Sequence, residues 1–174
     1  MRLTIAPVPD GAMAVLAALH AACFREGWPA ASFAALLATP GAFALLASRQ
    51  VSSSSPVPVG FIACRAAAAE CEVLSLGVAA QARGQRIGQR LLEAAEAAAR
   101  LRGARMMFLE VAADNLSARA LYARLPYIEV GKRSRYYTRE GLNSVDALVL
   151  RHDLGDDETP SCDPPGLSPH DRGF

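Results

Sequence analysis

A mixed α/β fold, in the α+β sense of a central, mostly antiparallel sheet with one parallel crossover and flanking helices, is what the sequence predicts. Three observations point to it. The apolar runs Phe43–Ser48 and Val59–Arg65 flank the polar, turn-forming stretch QVSSSSPVP and read as a hairpin with a long loop. EVLSLGV (72–78) and MMFLEV (106–111) are separated by an amphipathic stretch of helical period. A strand–helix–strand unit of that length implies a parallel pair with a right-handed crossover. Tyr127–Arg133 and Asp146–Asp153 then return as an antiparallel pair. With 174 residues, 52% of them hydrophobic and 20% charged, the chain is long and apolar enough for one domain with a real core.

Taken in order, RLTIAPV (2–8) alternates and reads as a strand. Asp10 is placed to cap a helix through Cys23, with Val15, Leu16 and Leu19 on one face. Phe24–Pro29 breaks it, and Ala30–Ala38 forms a second helix, stopped by Thr39-Pro40-Gly41. After the hairpin, AAAAEC turns the chain into the strand 72–78. Helix 85–102 carries Ile87, Leu91, Leu92, Ala95 and Ala99 at helical spacing and closes at Gly103. In 106–111, Met106, Phe108 and Glu110 share one strand face, and Met107, Leu109 and Val111 the other. Asp114 or Asn115 caps a further helix toward Leu125, which Pro126 ends early, because a residue before proline is pushed out of the helical region. The domain therefore spans 1–154, and the Pro/Gly-rich residues 155–174 read as an acidic tail without fixed structure.

Charge is unevenly spread. Residues 1–154 hold 17 Arg and Lys against 12 Asp and Glu, whereas 155–174 hold 1 against 5. A mildly basic domain suits a small anionic ligand and lacks the basic stripe that nucleic-acid binding needs. Cys23, Cys64, Cys71 and Cys162 form no CxxC pair and no His/Cys ligand spacing, which argues against a zinc site or disulfide framework and fits reduced, cytoplasmic thiols. No apolar stretch reaches the roughly 20 residues of a membrane span. AMAVLAALHAACF (12–24) reads as a buried helix rather than a signal segment, since Asp10 and two prolines precede or enter the region before it.

The chemistry starts where the strand 72–78 meets the helix. Arg83-Gly84-Gln85-Arg86-Ile87-Gly88 puts two glycines and two arginines at a helix N-terminus. Outward amides, the positive end of the helix dipole and arginine charge suit a phosphate there. The turn lacks the Gly-Lys-Ser/Thr of a Walker loop and the third glycine of a dinucleotide fingerprint. Read alone, it is equally a glycine turn with solvated arginines.

LGV, RGQRIG, LL, LEV-x-x-x-N-x-x-A-x-x-L-Y and L-x-Y, in that order and spacing, resemble the GNAT superfamily of N-acetyltransferases. The pattern is most similar to the RimI-type branch that acetylates the N-terminal alanine of a ribosomal protein. The resemblance covers 72–137 clearly and extends back through CFREGWPAASF. It implies a GNAT-like fold and transfer of acetyl from acetyl-CoA, as co-substrate and without a metal, to an amine that is most plausibly a protein N-terminus. It further implies that Leu76, Gly77 and Val78 pair with the pantetheine arm. Arg83, Gly84, Gln85, Arg86, Ile87, Gly88 and Gln89 would hold the pyrophosphate, and Asn115 would contact the cofactor arm. Glu110 falls at the branch's general base and Tyr122 at the acid that protonates the leaving thiolate.

Each of these residues has a plainer reading beside it. Glu110 sits in so apolar a strand that it must be at a strand end, paired or functional. Glu72, at the start of the neighbouring strand, is the rival base or an exposed strand-end charge. Tyr122 is acid or core; Asn115 is cofactor contact, helix cap or both. Tyr136 and Tyr137, read as loop-like, line the acceptor side or pack the returning strand. Trp28 shapes the acceptor side or, as the plainer reading, is a hydrophobic anchor, and His20, His152 and His170 read as structural or solvated. No Ser/His/Asp or Cys/His set is evident, consistent with direct attack by the amine.

Two positions depart from the pattern. Arg86 replaces a glycine; either the backbone there is ordinary helix, the favoured expectation, so that arginine only adds charge, or cofactor affinity suffers. Pro126 replaces the glycine that would cap the preceding helix. The alternative functions are acetylation of a small amine or antibiotic, or non-catalytic binding of acyl-CoA.

Overall fold

A computed structural model describes residues 2–50, 55–139 and 142–155, the side chains of 135–139, 142 and 143 excepted. The expected tail lies outside the described residues, apart from Gly155. The elements run β1 (Arg2–Pro7), α1 (Met13–Cys23), α2 (Ala30–Leu37), β2 (Ala42–Gln50), β3 (Val57–Ala67), β4 (Glu70–Val78), α3 (Ile87–Arg100), β5 (Met106–Ala112), α4 (Leu116–Tyr122), β6 (Ile128–Arg139) and β7 (Leu142–Asp153). They build one seven-stranded sheet in the order β1-β2-β3-β4-β5-β7-β6. Its β4–β5 pair is parallel, and the other five pairings are antiparallel. The mixed sheet with one crossover is as expected.

Both faces of the sheet are covered, because β3 alternates between two cores. Val59, Ile62 and Cys64 pack with Ile87, Leu91, Leu92, Ala95 and Ala99 of α3. Phe61 and Ala63 join Leu16 and Leu19 of α1 and Phe33 of α2. Leu91 and Leu92 are fully buried, each contributing roughly 1.5–3 kcal/mol by burial. On β5, Met107, Leu109 and Val111 enter the α3 core, so Glu110 points to the α1–α2 side, as the alternation implies.

Three expectations are corrected. Asp10 does not cap α1: Gly11 takes φ 79°, Ala12 N–H bonds the Pro9 carbonyl at 3.1 Å, and the helix starts at Met13 from Ala12. The tight Pro9–Ala12 turn carries Asp10 away before the helix begins. The third helix starts at Ile87 rather than at 85, after a separate 3₁₀ turn at Ala80–Ala82. Tyr136 and Tyr137 are not in a loop but on β6, where Tyr137 is opposite Val145. Register shifts at Glu129/Gly131 and Arg133/Tyr137 break the two-residue period that reveals a strand in sequence.

Candidate active site

The site begins with an irregularity in β4. Ala63 is opposite Ser75 but Cys64 is opposite Val73, so Leu74 is an extra residue. Such a bulge bends its strand. The parallel pairing with β5 covers Glu70–Val73 against Met106–Leu109 and goes no further. Beyond that point β4 continues with β3, and β5 continues with β7 through Ala112. The two parallel strands part, leaving the edge of Leu76-Gly77-Val78 available to a peptide-like partner. Arg83 Nε donates to the Val78 carbonyl at 3.1 Å. Gly77 is needed for closeness: a Cβ there would lie 2.6 Å from Phe61 Cε1 and 3.1 Å from Cys23 Sγ.

Next comes the turn into α3. Gly84 adopts φ 74°, and Arg86, the N-cap of α3, adopts φ 58° and ψ 17°. The ordinary helical backbone expected at Arg86 is therefore overturned. The chain leaves the turn through a left-handed residue, a conformation that costs an L side chain roughly 1–2 kcal/mol. Arg90 N–H bonds the Arg86 carbonyl at 3.1 Å, so the amides of Ile87, Gly88 and Gln89 precede the helical ladder and point out of its positive end. Gly88 lets α4 approach, since a Cβ would come 3.1 Å from Leu121 Cδ2.

These parts enclose a cavity of about 510 Å³. Its walls include Leu76, Gly77, Val78, Arg83, Gly84, Arg86, Ile87, Gly88, Gln89 and Asn115. Gln85 is not among them: it is exposed, accepts from Arg49 Nη2 and donates to the Gln81 carbonyl at 3.5 Å. Asn115 is wall and cap together, its Oδ1 accepting from Ala118 N–H at 3.1 Å. Tyr122, buried, lines the same cavity. Sequence reasoning missed Ser117, Leu121 and Arg124, which also line it. They are four and three residues apart from one another, the spacing of one helical face, and that was the available signal. Cys23 and Phe24, at the end of α1, close the cavity from the opposite face of the sheet. Burial pushes the Cys23 thiol up, partly offset by the nearby Arg83 guanidinium.

Glu110 and Tyr122 line different cavities. Glu110 and the rival Glu72 both line a second one of about 260 Å³, with Arg65 and Arg133. Glu110 Oε1 is 2.8 Å from Arg133 Nε, and Glu72 is exposed. Tyr122 instead meets Tyr127, ring centroids 6.0 Å apart. Tyr127 donates to Glu96 Oε1 at 3.0 Å, and His152 Nδ1 reaches the same oxygen at 3.0 Å. Burial, followed by the Glu96 carboxylate, pushes the Tyr127 phenol up. His152 thus joins α3 to β7. Trp28 packs with the α1–α2 core. Among the described residues Cys23, Cys64 and Cys71 are free thiols, and no group of three His, Cys, Asp or Glu side chains is placed to hold a metal.

A helix N-terminus with three outward amides, flanking arginines and an open strand edge fits a nucleotide pyrophosphate carrying a peptide-like arm. The site and the fold define a transferase domain of the acyl-coenzyme A type. The profile of the Acetyltransferase (GNAT) family matches residues 13–127, and the chain belongs to that family. Acetyl-CoA is the acetyl donor of that family. The chain is 41% identical over 87 residues to the N-alpha-acetyltransferase RimI of Mycobacterium tuberculosis (strain ATCC 25618 / H37Rv); the match covers 50% of this chain and 51% of that protein. In fold it is similar to the ribosomal-protein-S18-alanine N-acetyltransferase of Escherichia coli, with TM-score 0.77, 20% identity, and 91% and 98% of the two chains covered. It also resembles a chain of the NatC complex crystallised with Gag peptide and CoA, with TM-score 0.75, 22% identity, and 89% and 100% covered. Among the described residues, no helix is long and apolar enough to cross a membrane.

Proposed function

We propose that this chain acetylates the N-terminal amine of a protein, as its RimI and ribosomal-protein-alanine relatives are named for doing, by direct attack of the amine on the thioester. The observation that carries this reading is the parting of β4 and β5 after Val73 and Leu109. It opens the sheet between the turn that suits a pyrophosphate and the face that bears Glu110. Acetyl-CoA, when bound, supplies an activated acetyl group as a thioester.

The chain's own residues do the rest. The amides of Ile87, Gly88 and Gln89, with Arg83, Arg86 and Arg124, hold the phosphates. The β4 edge at Leu76–Val78 orients the arm. An N-terminal amine has an unperturbed pKa of about 7.7–8.0, so a base needs to remove its proton with only a modest push. Glu110 takes that proton, directly or through a water, once the arriving amine displaces Arg133 from its carboxylate. Tyr122 donates a proton to the departing sulfur. Glu72, farther down the same cavity, is the second candidate base.

The test is a turnover screen with acetyl-CoA on N-terminal peptides, Ala- and Ser-starting ones included, against polyamines and aminoglycosides. Preference for peptides is expected. Glu110→Gln and Tyr122→Phe should each lower kcat by about 10²–10⁴ while acetyl-CoA affinity stays within twofold. Intact turnover in both variants would remove them from the mechanism. Binding of acetyl-CoA without acetylation of any amine would favour the non-catalytic reading.

A further inference from the structure

Glu96 is a buried carboxylate that the chemistry above does not use. It sits on the core face of α3, at helical spacing from the fully buried Leu92 and Ala99. One of its oxygens, Oε1, meets Tyr127 Oη at 3.0 Å and His152 Nδ1 at 3.0 Å. An ionised carboxylate only accepts, so the phenol and the imidazole both donate to it. The Tyr127 and His152 rings also touch, with centroids 5.2 Å apart. His152 belongs to β7, opposite Met107 of β5, and Tyr127 is the residue before β6. The helix and two strands of the sheet are therefore joined at one oxygen.

Stability alone does not account for this cluster. Taking a carboxylate out of water is costly, and apolar side chains of similar volume often serve a core as well or better. What hydrogen bonds converging on one atom do supply is a fixed place for each partner. Tyr127, so fixed, stands behind Tyr122: their ring centroids are 6.0 Å apart with planes at 53°. Tyr122 lines the larger cavity and Tyr127 does not. Tyr122 is also the last residue of the seven-residue α4 and its only buried one. The helix has no glycine cap; its C-cap is Ala123, in the right-handed region, and Pro126 follows. So short a helix, with so little buried, has little of its own to hold its last turn.

We propose that Tyr127, Glu96 and His152 are positioning residues for the transfer: Glu96, itself bonded to His152, anchors the Tyr127 phenol, and the anchored ring holds Tyr122 at the end of α4 against the cavity. This rests on the reading of Tyr122 as the acid and adds to it what aims that acid.

Tyr127→Phe keeps the ring and cuts its tie to Glu96. A small misplacement of a reacting group is expensive in rate, so kcat in the peptide assay should fall about 5- to 50-fold. Acetyl-CoA Kd and peptide KM should stay within about twofold, because the α3 amides and Glu110 are untouched. Glu96→Gln, which keeps an oxygen for both donors, should retain kcat within about threefold. The deciding comparison is the Tyr127→Phe loss of kcat in the wild type and in Tyr122→Phe. If Tyr127 acts through the Tyr122 hydroxyl, the loss disappears once that hydroxyl is gone. A general loosening of the fold would cost the same in both backgrounds. Amide hydrogen exchange needs no turnover; in Tyr127→Phe it should quicken about two- to tenfold over 119–125 and stay unchanged in α1. Equal losses in the two backgrounds, unchanged exchange over 119–125, or a Glu96→Gln variant as impaired as Tyr127→Phe would overturn the proposal. A Tyr122→Phe variant with full kcat would instead overturn the acid assignment, and a wild type without turnover the acetyltransferase reading, so the failures are distinguishable.

Discussion

Replacing Arg86 by glycine should make the protein more stable while weakening its hold on acetyl-CoA, and the two effects come from different atoms. Arg86 is exposed and sits at φ 58°, ψ 17° as the N-cap of α3. An L residue there gives up roughly 1–2 kcal/mol. Glycine recovers it but returns about 0.4–1 kcal/mol through the freer unfolded chain. The balance is a gain of about 0.5–1 kcal/mol, or a Tm rise of about 1–4 °C at this chain length. Arg86→Ala keeps the left-handed backbone and should leave stability nearly unchanged. Both variants lose one positive charge beside the proposed phosphates. At about 4 Å in a watery setting that charge is worth about 1 kcal/mol, which is roughly fivefold in Kd, and added salt shrinks it. Urea denaturation without ligand measures the first effect, and calorimetric titration with acetyl-CoA at two ionic strengths the second. A glycine variant no more stable than the alanine variant would refute the backbone argument. An affinity indifferent to both variants and to salt would refute the phosphate role.

Ala68, in the β3–β4 turn at φ 51°, carries the same penalty away from any ligand, so Ala68→Gly should raise the urea midpoint without altering acetyl-CoA affinity. Gly41 has φ 78°, and a Cβ on it would lie 1.9 Å from the Ala66 carbonyl oxygen; Gly41→Ala should cost about 2 kcal/mol or more, read as an early thermal transition. His20 has a folded-state pKa below its unfolded one, so its contribution to stability is present above about pH 6.5 and is lost as pH falls through and below that value. The difference in urea midpoint between wild type and His20→Phe should therefore shrink on acidification from pH 7.5 to 5; a constant difference would contradict the shift.

The core-forming spacing of α3 was legible because Ile87, Leu91, Leu92, Ala95 and Ala99 need only a helical period to be read. The side on which Glu110 points was legible for the same reason, from strict alternation in β5. What lay beyond reach depends on residues distant in sequence. The left-handed turn at Arg86 is set by the geometry that joins β4 to α3, and local preference points the other way. The ion pair from Arg133 to Glu110 joins β6 to β5 across β7. His20 was expected to be structural or solvated, and it is buried. Trp28, eight residues on, folds back over it, its ring stacked on the imidazole and its N–H bonded to Nδ1. Tyr136 and Tyr137 read as loop because bulges in β6 hide the strand period.

The separation of Glu110 and Tyr122 supports their proposed division of labour. In an acetyl transfer the proton to be removed is on the attacking amine, and the proton to be delivered goes to sulfur on the other side of the carbonyl carbon. The base and the acid therefore have to reach opposite sides of that carbon rather than each other. Here the carboxylate is on the α1–α2 face, in a cleft shared with Arg65 and Arg133. The phenol is on the α3 face, against Tyr127, which Glu96 and His152 tie down. Under the proposed mechanism, the gap where β4 and β5 part, next to the extra residue Leu74, would be the route between them. On this reading, lengthening or shortening β4 at Leu74 should lower kcat in the peptide assay more than it lowers the urea midpoint, because it alters the opening through which both groups would reach the same carbon; a loss of kcat no larger than the loss of stability explains would refute it.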